Sequence, residues 1–398
     1  MKAESCLKVF LYLSPFCDLL TGLFISKLGF SESFVGSPSQ LLRFSFIFFM
    51  FVYLKSTNKR LIISLLLYFT FVELTSIFYT NSVSPLIVGL ISSTKIVFIF
   101  LLYFLVGQIL KQGFPIKSLL EIFLTSATLY SLGILIPAIL DIGESTYASG
   151  TFGQKGFFAS GNALGIYLGI AGSIATLRNN KTLKQSFQLF IIVLSLILLG
   201  TKTSLVFIFL ISMIMIVQSG RVLPLLILSL GIVFISLHWQ VISTIFSTIF
   251  DVVVYRFNNS DNLMTFILSG RDQYVIDAFN ECMKSNIWLI KLIFGGGSYM
   301  SFRSSYHNGM VYDVLEMDFF DIFFMYGIIG VTIYSLLFGY FTLKAMSRSK
   351  YIFILMSFFF LHSALAGHVV FDGLSMTAGV VVIFMIRYYR DLKTTFKV

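Results

Sequence analysis

The stretch Val314–Gly330, VLEMDFFDIFFMYGIIG, opens on three carboxylates and then turns apolar. Glu316, Asp318 and Asp321 fall within six residues, and no further charge follows before Lys344. A helix needs about 20 mostly apolar residues to cross a hydrocarbon core. The stretch therefore reads as the acid-loaded mouth of a membrane span. One acid in a first helical turn is favoured by the positive end of the macrodipole. Three exceed what capping requires, and Asp318 and Asp321, three residues apart, share a helix face. Without a cation opposite they would repel, pushing one towards protonation.

The rest of the chain supports the membrane reading. Of 398 residues, 57% are hydrophobic and only 12% charged, and 46 are Phe; the mean hydropathy is +0.91. Soluble domains carry about 25% charged residues. Apolar runs near 7–26, 37–54, 61–80, 84–110, 118–140, 157–177, 186–201, 203–219, 222–249, 317–343, 351–369 and 374–390 predict about twelve transmembrane helices in a single polytopic domain spanning 1–398. Asp18 interrupts the first run and no small-residue cleavage site follows, so that run reads as a span and not as a cleaved signal.

Charge placement sets the expected orientation. The alternate loops 55–60 (KSTNKR), 111–117 (KQGFPIK), 178–184 (RNNKTLK), 219–221 (SGR) and 344–350 (KAMSRSK), with both termini, hold most of the 28 Lys and Arg. Basic loops mark the cytoplasmic side, so both termini are expected there. The formal charge of +10 is thus a topology signal, and nucleic acid is excluded as a partner. Residues 250–316 then form one large outer loop, far longer than two helices need as a connection, and 141–156 faces the same way. Within the large loop, Val275, Phe279, Met283, Ile287 and Ile290 make a near-helical apolar stripe, predicting an amphipathic helix flat on the membrane surface. Gly295, Gly296 and Gly297 end it and permit a sharp return.

Ionisable groups at membrane depth are costly and face a cavity or a partner. They are Asp18, Arg43, Glu73, Lys95 and Lys202, beside the acid cluster. Lys95 reads as a partner of Asp18 or Glu73, or as functional; Arg43 reads as a snorkelling cation. Lys202, Arg271 and Arg303 lie on the outer side, against the positive-inside trend, and suggest an anion site in which Arg offers a rigid fork for phosphate oxygens. Scattered charges paired with Asp272, Glu281 or Asp313 are the plainer alternative. His307 reads as a solvated loop residue or as a base. The three cysteines, Cys6, Cys17 and Cys282, form no disulfide framework. No metal spacing, nucleotide loop or nucleophile elbow is present.

Taken in order, SGRDQYVIDAF, the glycine-rich return, YHNG and EMDFFDIFFMYGIIG resemble the polytopic O-antigen polymerase (Wzy-type) and O-antigen ligase superfamily. KGFFASGNALGIYLGI, ILLGTKTSLVFIFL and SPFCDLLTGLF resemble further spans of that superfamily. The resemblance implies a GT-C-like, all-α integral membrane protein of the bacterial inner membrane. It implies a repeat-unit polymerase that moves glycan from undecaprenyl diphosphate to a sugar hydroxyl of a lipid-linked unit, without metal or cofactor. Arg271, Lys202 and Arg303 would bind the diphosphate; Glu316, Asp318 or His307 would be the base. The ligase branch starts the corresponding span with His-Asn, whereas Glu316 stands eleven residues before Gly327, which favours the polymerase branch. The implied partners are the undecaprenyl-diphosphate-linked oligosaccharide, membrane lipid and a chain-length regulator. A ligase that transfers finished glycan to lipid A core, and a lipid-linked-oligosaccharide flippase, are the alternatives. The long loop and the lack of an internal repeat count against the flippase.

Overall fold

The computed structural model describes residues 2–29, 36–80, 84–146, 153–179, 181–219, 265, 268, 270–298, 315–367 and 369–396. In chain order these hold α1 (Ala3–Leu28), α2 (Pro38–Tyr53), α3 (Ser56–Thr80), α4 (Ser84–Lys111), α5 (Ile116–Ile139), β1 (Glu144–Ser145), β2 (Gln154–Gly156), α6 (Gly161–Thr176), α7 (Leu183–Leu199) and α8 (Lys202–Ser219). They continue with α9 (Arg271–Met283), α10 (Trp288–Phe294), α11 (Asp318–Met346), α12 (Lys350–Ala366), α13 (Gly373–Arg387) and α14 (Tyr389–Leu392). Eleven of the twelve apolar runs coincide with a helix; the run at 222–249 lies outside the described residues. The 186–219 region is two helices, α7 and α8, separated at Gly200.

Among the described residues, α1, the Gly89–Lys111 part of α4, α5 and α11 are long and apolar enough to cross a membrane, and five shorter helices are apolar too. The outer surface agrees with that composition. Phe48, Leu67, Leu336 and Leu343 stand exposed, a pattern that water would penalise and lipid does not. The fold is therefore an all-α, membrane-embedded bundle.

Its centre is α6, buried along nearly its whole length. Small residues make that possible. A side chain at Gly169 would overlap the Phe207 ring of α8, so its absence lets the two helices approach closely, as small residues do in membrane bundles. On the other flank, α13 is almost as deeply buried.

Three of the basic loops, 55–60, 111–117 and 178–184, collect with the C-terminal tail at one end. Lys117 Nζ donates to Thr394 Oγ1 at 3.2 Å, Asn179 N–H donates to Thr395 O at 2.9 Å, and Lys55 N–H donates to Gln108 Oε1 at 3.1 Å. Buried Arg178 pairs with Glu121 at 2.5 Å beneath the C-terminal tail. At the other end of α1, Lys27 meets Glu144 of the β1–β2 hairpin at 3.3 Å. That pair is largely exposed and worth no more than about 1 kcal/mol.

The expected single surface helix is two. α9 ends at Met283, and a turn through Ser285–Ile287 precedes α10. The apolar stripe of α9 does not simply lie outward: Ala278 and Cys282 are buried with Leu315 and Phe324, and Phe279 packs edge-on against Phe324 at 4.9 Å. The aromatic start of α11 offers a drier surface than a membrane interface, and it captures α9. The short α10 keeps Leu289 and Ile290 exposed and is the segment that presents apolar side chains outward.

Candidate functional site

The three entrance acids have three different employments. Asp321 reaches back over the helix start: its Oδ1 accepts from Leu315 N–H at 2.8 Å and its Oδ2 from Met317 N–H at 3.1 Å. Asp318 is fully buried. Its Oδ2 accepts from Ser363 Oγ at 2.7 Å, Val369 N–H at 3.0 Å and Val370 N–H at 2.9 Å. Backbone donors and the helix N-terminus thus stabilise the charge of both aspartates, and the cation that the acid cluster called for stands at Glu316, as Arg271. Asp318 is placed as an anchor of the α12–α13 loop. Asp318→Asn puts an amide where three donors converge, and it should cost on the order of 2 kcal/mol, read as a lower melting temperature. If turnover vanished with melting unchanged, Asp318 would be a base and not an anchor.

Glu316 is different. It sits in the left-handed region at φ 59°, a conformation that costs a non-glycine residue about 1 kcal/mol or more. Its neighbours enforce it. Asp321 pins the amides on both sides, and the Glu316 carbonyl packs directly on Gly367. The strained backbone aims the side chain at α9: Arg271 Nη2 donates to Glu316 Oε2 at 2.7 Å and Nε to the same oxygen at 3.1 Å. The Glu316 side chain is 42% exposed and that of Arg271 16%. The pair is held but reachable, and its stabilisation is near 1 kcal/mol. Arg271 is the first residue of α9, after Gly270, so the helix start sets its direction.

Beneath this pair α11 is broken. Gly327 has φ 66° and ψ −166°, which interrupts the helical ladder. The carbonyls of the preceding turn find outside donors: Phe324 O takes Gly296 N–H at 2.9 Å, Met325 O takes Gly297 N–H at 3.0 Å, and Tyr326 O takes Tyr68 Oη at 3.0 Å. Backbone groups at membrane depth must be met inside the protein, and the glycine-rich return does this. It can approach because a side chain at Gly295 would collide with Met325 O and one at Gly327 with Ile293 O.

Glu73 clamps the return from α3. The carboxylate is fully buried; it accepts from Ser298 N–H at 3.0 Å, Ser298 Oγ at 2.5 Å and Tyr326 Oη at 3.2 Å. Ser93 Oγ lies 3.3 Å from Tyr326 Oη. Pairing of Glu73 with Lys95, one of the sequence expectations, is therefore replaced by a hydroxyl and amide cage. Asp18, the other suggested partner of Lys95, takes Arg43 at 3.3 Å and Tyr130 Oη at 2.5 Å. Arg43 is accordingly paired, with its side chain 29% exposed. Lys95 shares a cavity with this pair and with Asp372.

Below Tyr326 an apolar cavity of 540 Å³ runs between α3, α4, α11, α12 and α13, walled by residues such as Leu65, Phe100, Ile333 and Val380. Its lining suits a hydrocarbon chain. Of the other sequence candidates, Lys202 is the first residue of α8 and exposed. α8 packs on α6 and α7, and its Phe207 meets Phe358 of α12. Arg303 and His307 lie outside the described residues. The sequence reading missed Ser298, Tyr326 and Gly367 as site residues; the available signals were the Tyr-Gly step inside an otherwise apolar run for Tyr326 and the serine that follows the glycine triplet for Ser298. No family model matches this chain, and no curated protein matches it.

Proposed function

We infer that the chain is a membrane glycosyltransferase that polymerises polysaccharide repeat units. The donor is the growing glycan on undecaprenyl diphosphate, and the acceptor is a sugar hydroxyl of the incoming lipid-linked unit. The observation that carries this reading is the Arg271–Glu316 pair, 2.7 Å apart, poised at the head of a broken helix whose next turns line an apolar groove. A lipid-linked diphosphate needs a cation for the head and a dry channel for the tail, side by side.

The pair also suggests how the two roles are coupled. Before substrate binds, Glu316 holds the guanidinium fork of Arg271 in place. The donor diphosphate competes for that fork, which favours bidentate phosphate contact, and frees Glu316 to act. The acceptor oxygen attacks the anomeric carbon and inverts it. The bond from that carbon to the phosphate oxygen breaks, and its electron pair leaves with the diphosphate. Arg271 stabilises the charge that develops there, and Glu316 takes the proton from the acceptor hydroxyl. Lys202 and Arg303 are further candidate contacts to the diphosphate, and His307 a second candidate base. The site faces the outer side of a bacterial inner membrane, with both termini cytoplasmic. The resemblance to Wzy-type polymerases and the collection of three basic loops at one end of the bundle support this orientation.

Reconstitution tests the reading. Purified protein in proteoliposomes with lipid-linked repeat unit should give a ladder of lengthened lipid-linked glycans. A ligase would leave the unit's length unchanged and pass it to a lipid A core acceptor. A flippase would move it across the bilayer with no new glycosidic bond, and either result would reject the polymerase assignment.

A further inference from the structure

We propose that the cavity lined by charged side chains between α1, α2, α4, α13 and the start of α6 is a carbohydrate subsite that takes one or two neutral sugar rings, with Lys95 and Asp372 as its principal contacts. The cavity encloses 260 Å³, slightly under the roughly 300–1,000 Å³ typical of drug-sized ligands. It is separate from the apolar groove and from the Arg271–Glu316 pair, and the reaction scheme leaves it unused.

Its charge identifies the ligand class. Arg43 and Lys95 line it together with Asp18 and Asp372, so among the described residues the formal charges cancel. Arg43 is engaged by Asp18 at 3.3 Å, and Asp18 also accepts from Tyr130 at 2.5 Å. Asp372 Oδ1 caps α13 through Ser375 N–H at 2.8 Å. A diphosphate here would sit beside two carboxylates at low dielectric, where like charges repel strongly. A sugar hydroxyl both donates and accepts; it can accept from the Lys95 ammonium and donate to the Asp372 carboxylate in one bridge. The Thr21, Ser39 and Thr94 side chains add hydroxyl partners, and Phe371 an apolar face for sugar C–H groups. Asp18, Arg43 and Lys95 lie within apolar helices, where charged groups are costly if only packing is at stake.

The connection to the transfer site is the loop from Gly367 to Asp372. Gly367 packs on the Glu316 carbonyl, Asp318 holds the Val369 and Val370 amides, and Phe371 and Asp372 line the cavity. A sugar held there hangs from the same loop that abuts the base. Asp318 is then a positioning residue that sets the spacing between the two sites. The source of the sugar, a glycan undergoing transfer, rests on the polymerase reading; the binding of a sugar does not.

Saturation-transfer NMR on the full chain in phospholipid nanodiscs tests this. The probes are glucose, galactose, rhamnose, N-acetylglucosamine and N-acetylgalactosamine, with inorganic pyrophosphate followed by phosphorus line width. At least one sugar should show saturation transfer. Lys95→Met and Asp372→Asn should each weaken it about tenfold, the loss of one charge-assisted hydrogen bond, and Lys344→Met, outside the cavity, should not. Asn is a good helix N-cap, so Asp372→Asn provides a folded variant even if Lys95→Met does not accumulate. The subsite is rejected if no sugar responds, or if the response survives both substitutions. It is equally rejected if pyrophosphate binds and Lys95→Met releases it. Free sugar binding needs no turnover. Sugar binding without chain growth would therefore reject the polymerase reading alone, and chain growth without sugar binding would reject the subsite alone.

Discussion

Cells whose only copy of the protein carries Arg271→Ala should display surface glycan as single repeats, with the long-chain ladder lost. The guanidinium is the described cation nearest the proposed base, at 2.7 Å. Removing one preorganised partner of developing charge typically costs about 10²–10³ in rate. Arg271→Lys should retain a residue of activity, because an ammonium keeps the charge but not the fork. Glu316→Gln is the matched experiment. The amide oxygen still accepts from Arg271, so the local geometry survives, yet no proton can be taken. Turnover should fall by at least about 10² while the melting temperature stays within a few degrees. The contrast with Asp318→Asn is deliberate: that variant should lose stability first. Long chains persisting in both Arg271→Ala and Glu316→Gln would remove the pair from the mechanism.

The second large effect is structural. Gly295→Ala and Gly327→Ala should each prevent accumulation of folded protein, or lower its melting temperature by about 5 °C. Two penalties coincide at each position. The backbone is left-handed, at φ 94° for Gly295 and 66° for Gly327, and the added methyl would overlap a carbonyl of the opposing segment. Together these cost roughly 3–5 kcal/mol, a large part of a typical 5–15 kcal/mol margin. Gly339→Ala is the internal control. It lies in the same helix with nothing within 4 Å of the added carbon, so alanine there should be neutral or stabilising by a few tenths of a kcal/mol. Normal melting of Gly295→Ala would mean that the return does not clamp the break in α11.

Some of this architecture could be read before any coordinates existed. A helix in lipid must be apolar for about 20 residues whatever its neighbours, so eleven of the apolar runs became helices within a few residues of their expected ends. Glycine at 295–297 had to end α10, because its freedom of backbone is local. Arg271 and Glu316 could be nominated separately, one as a cation on an unexpected side and one as an excess acid. That they touch could not be read from the residues, since the contact spans 45 positions and depends on where α9 docks.

The chain's composition and periodicity determined that it is an all-α membrane protein and which residues are chemically conspicuous. Tertiary structure alone decided what each conspicuous residue does. Glu73, Asp318 and Asp321 look alike in sequence, as acids in or beside apolar runs, yet each is spent on a different backbone segment. Glu316 differs from them only because a left-handed turn, held by Asp321 and Gly367, points it outward to Arg271. Helix formation in lipid is a local demand of backbone hydrogen bonding and is therefore written in consecutive residues. The partner of a buried charge is set by which segments the fold brings within 3 Å, and no stretch of sequence carries that information by itself.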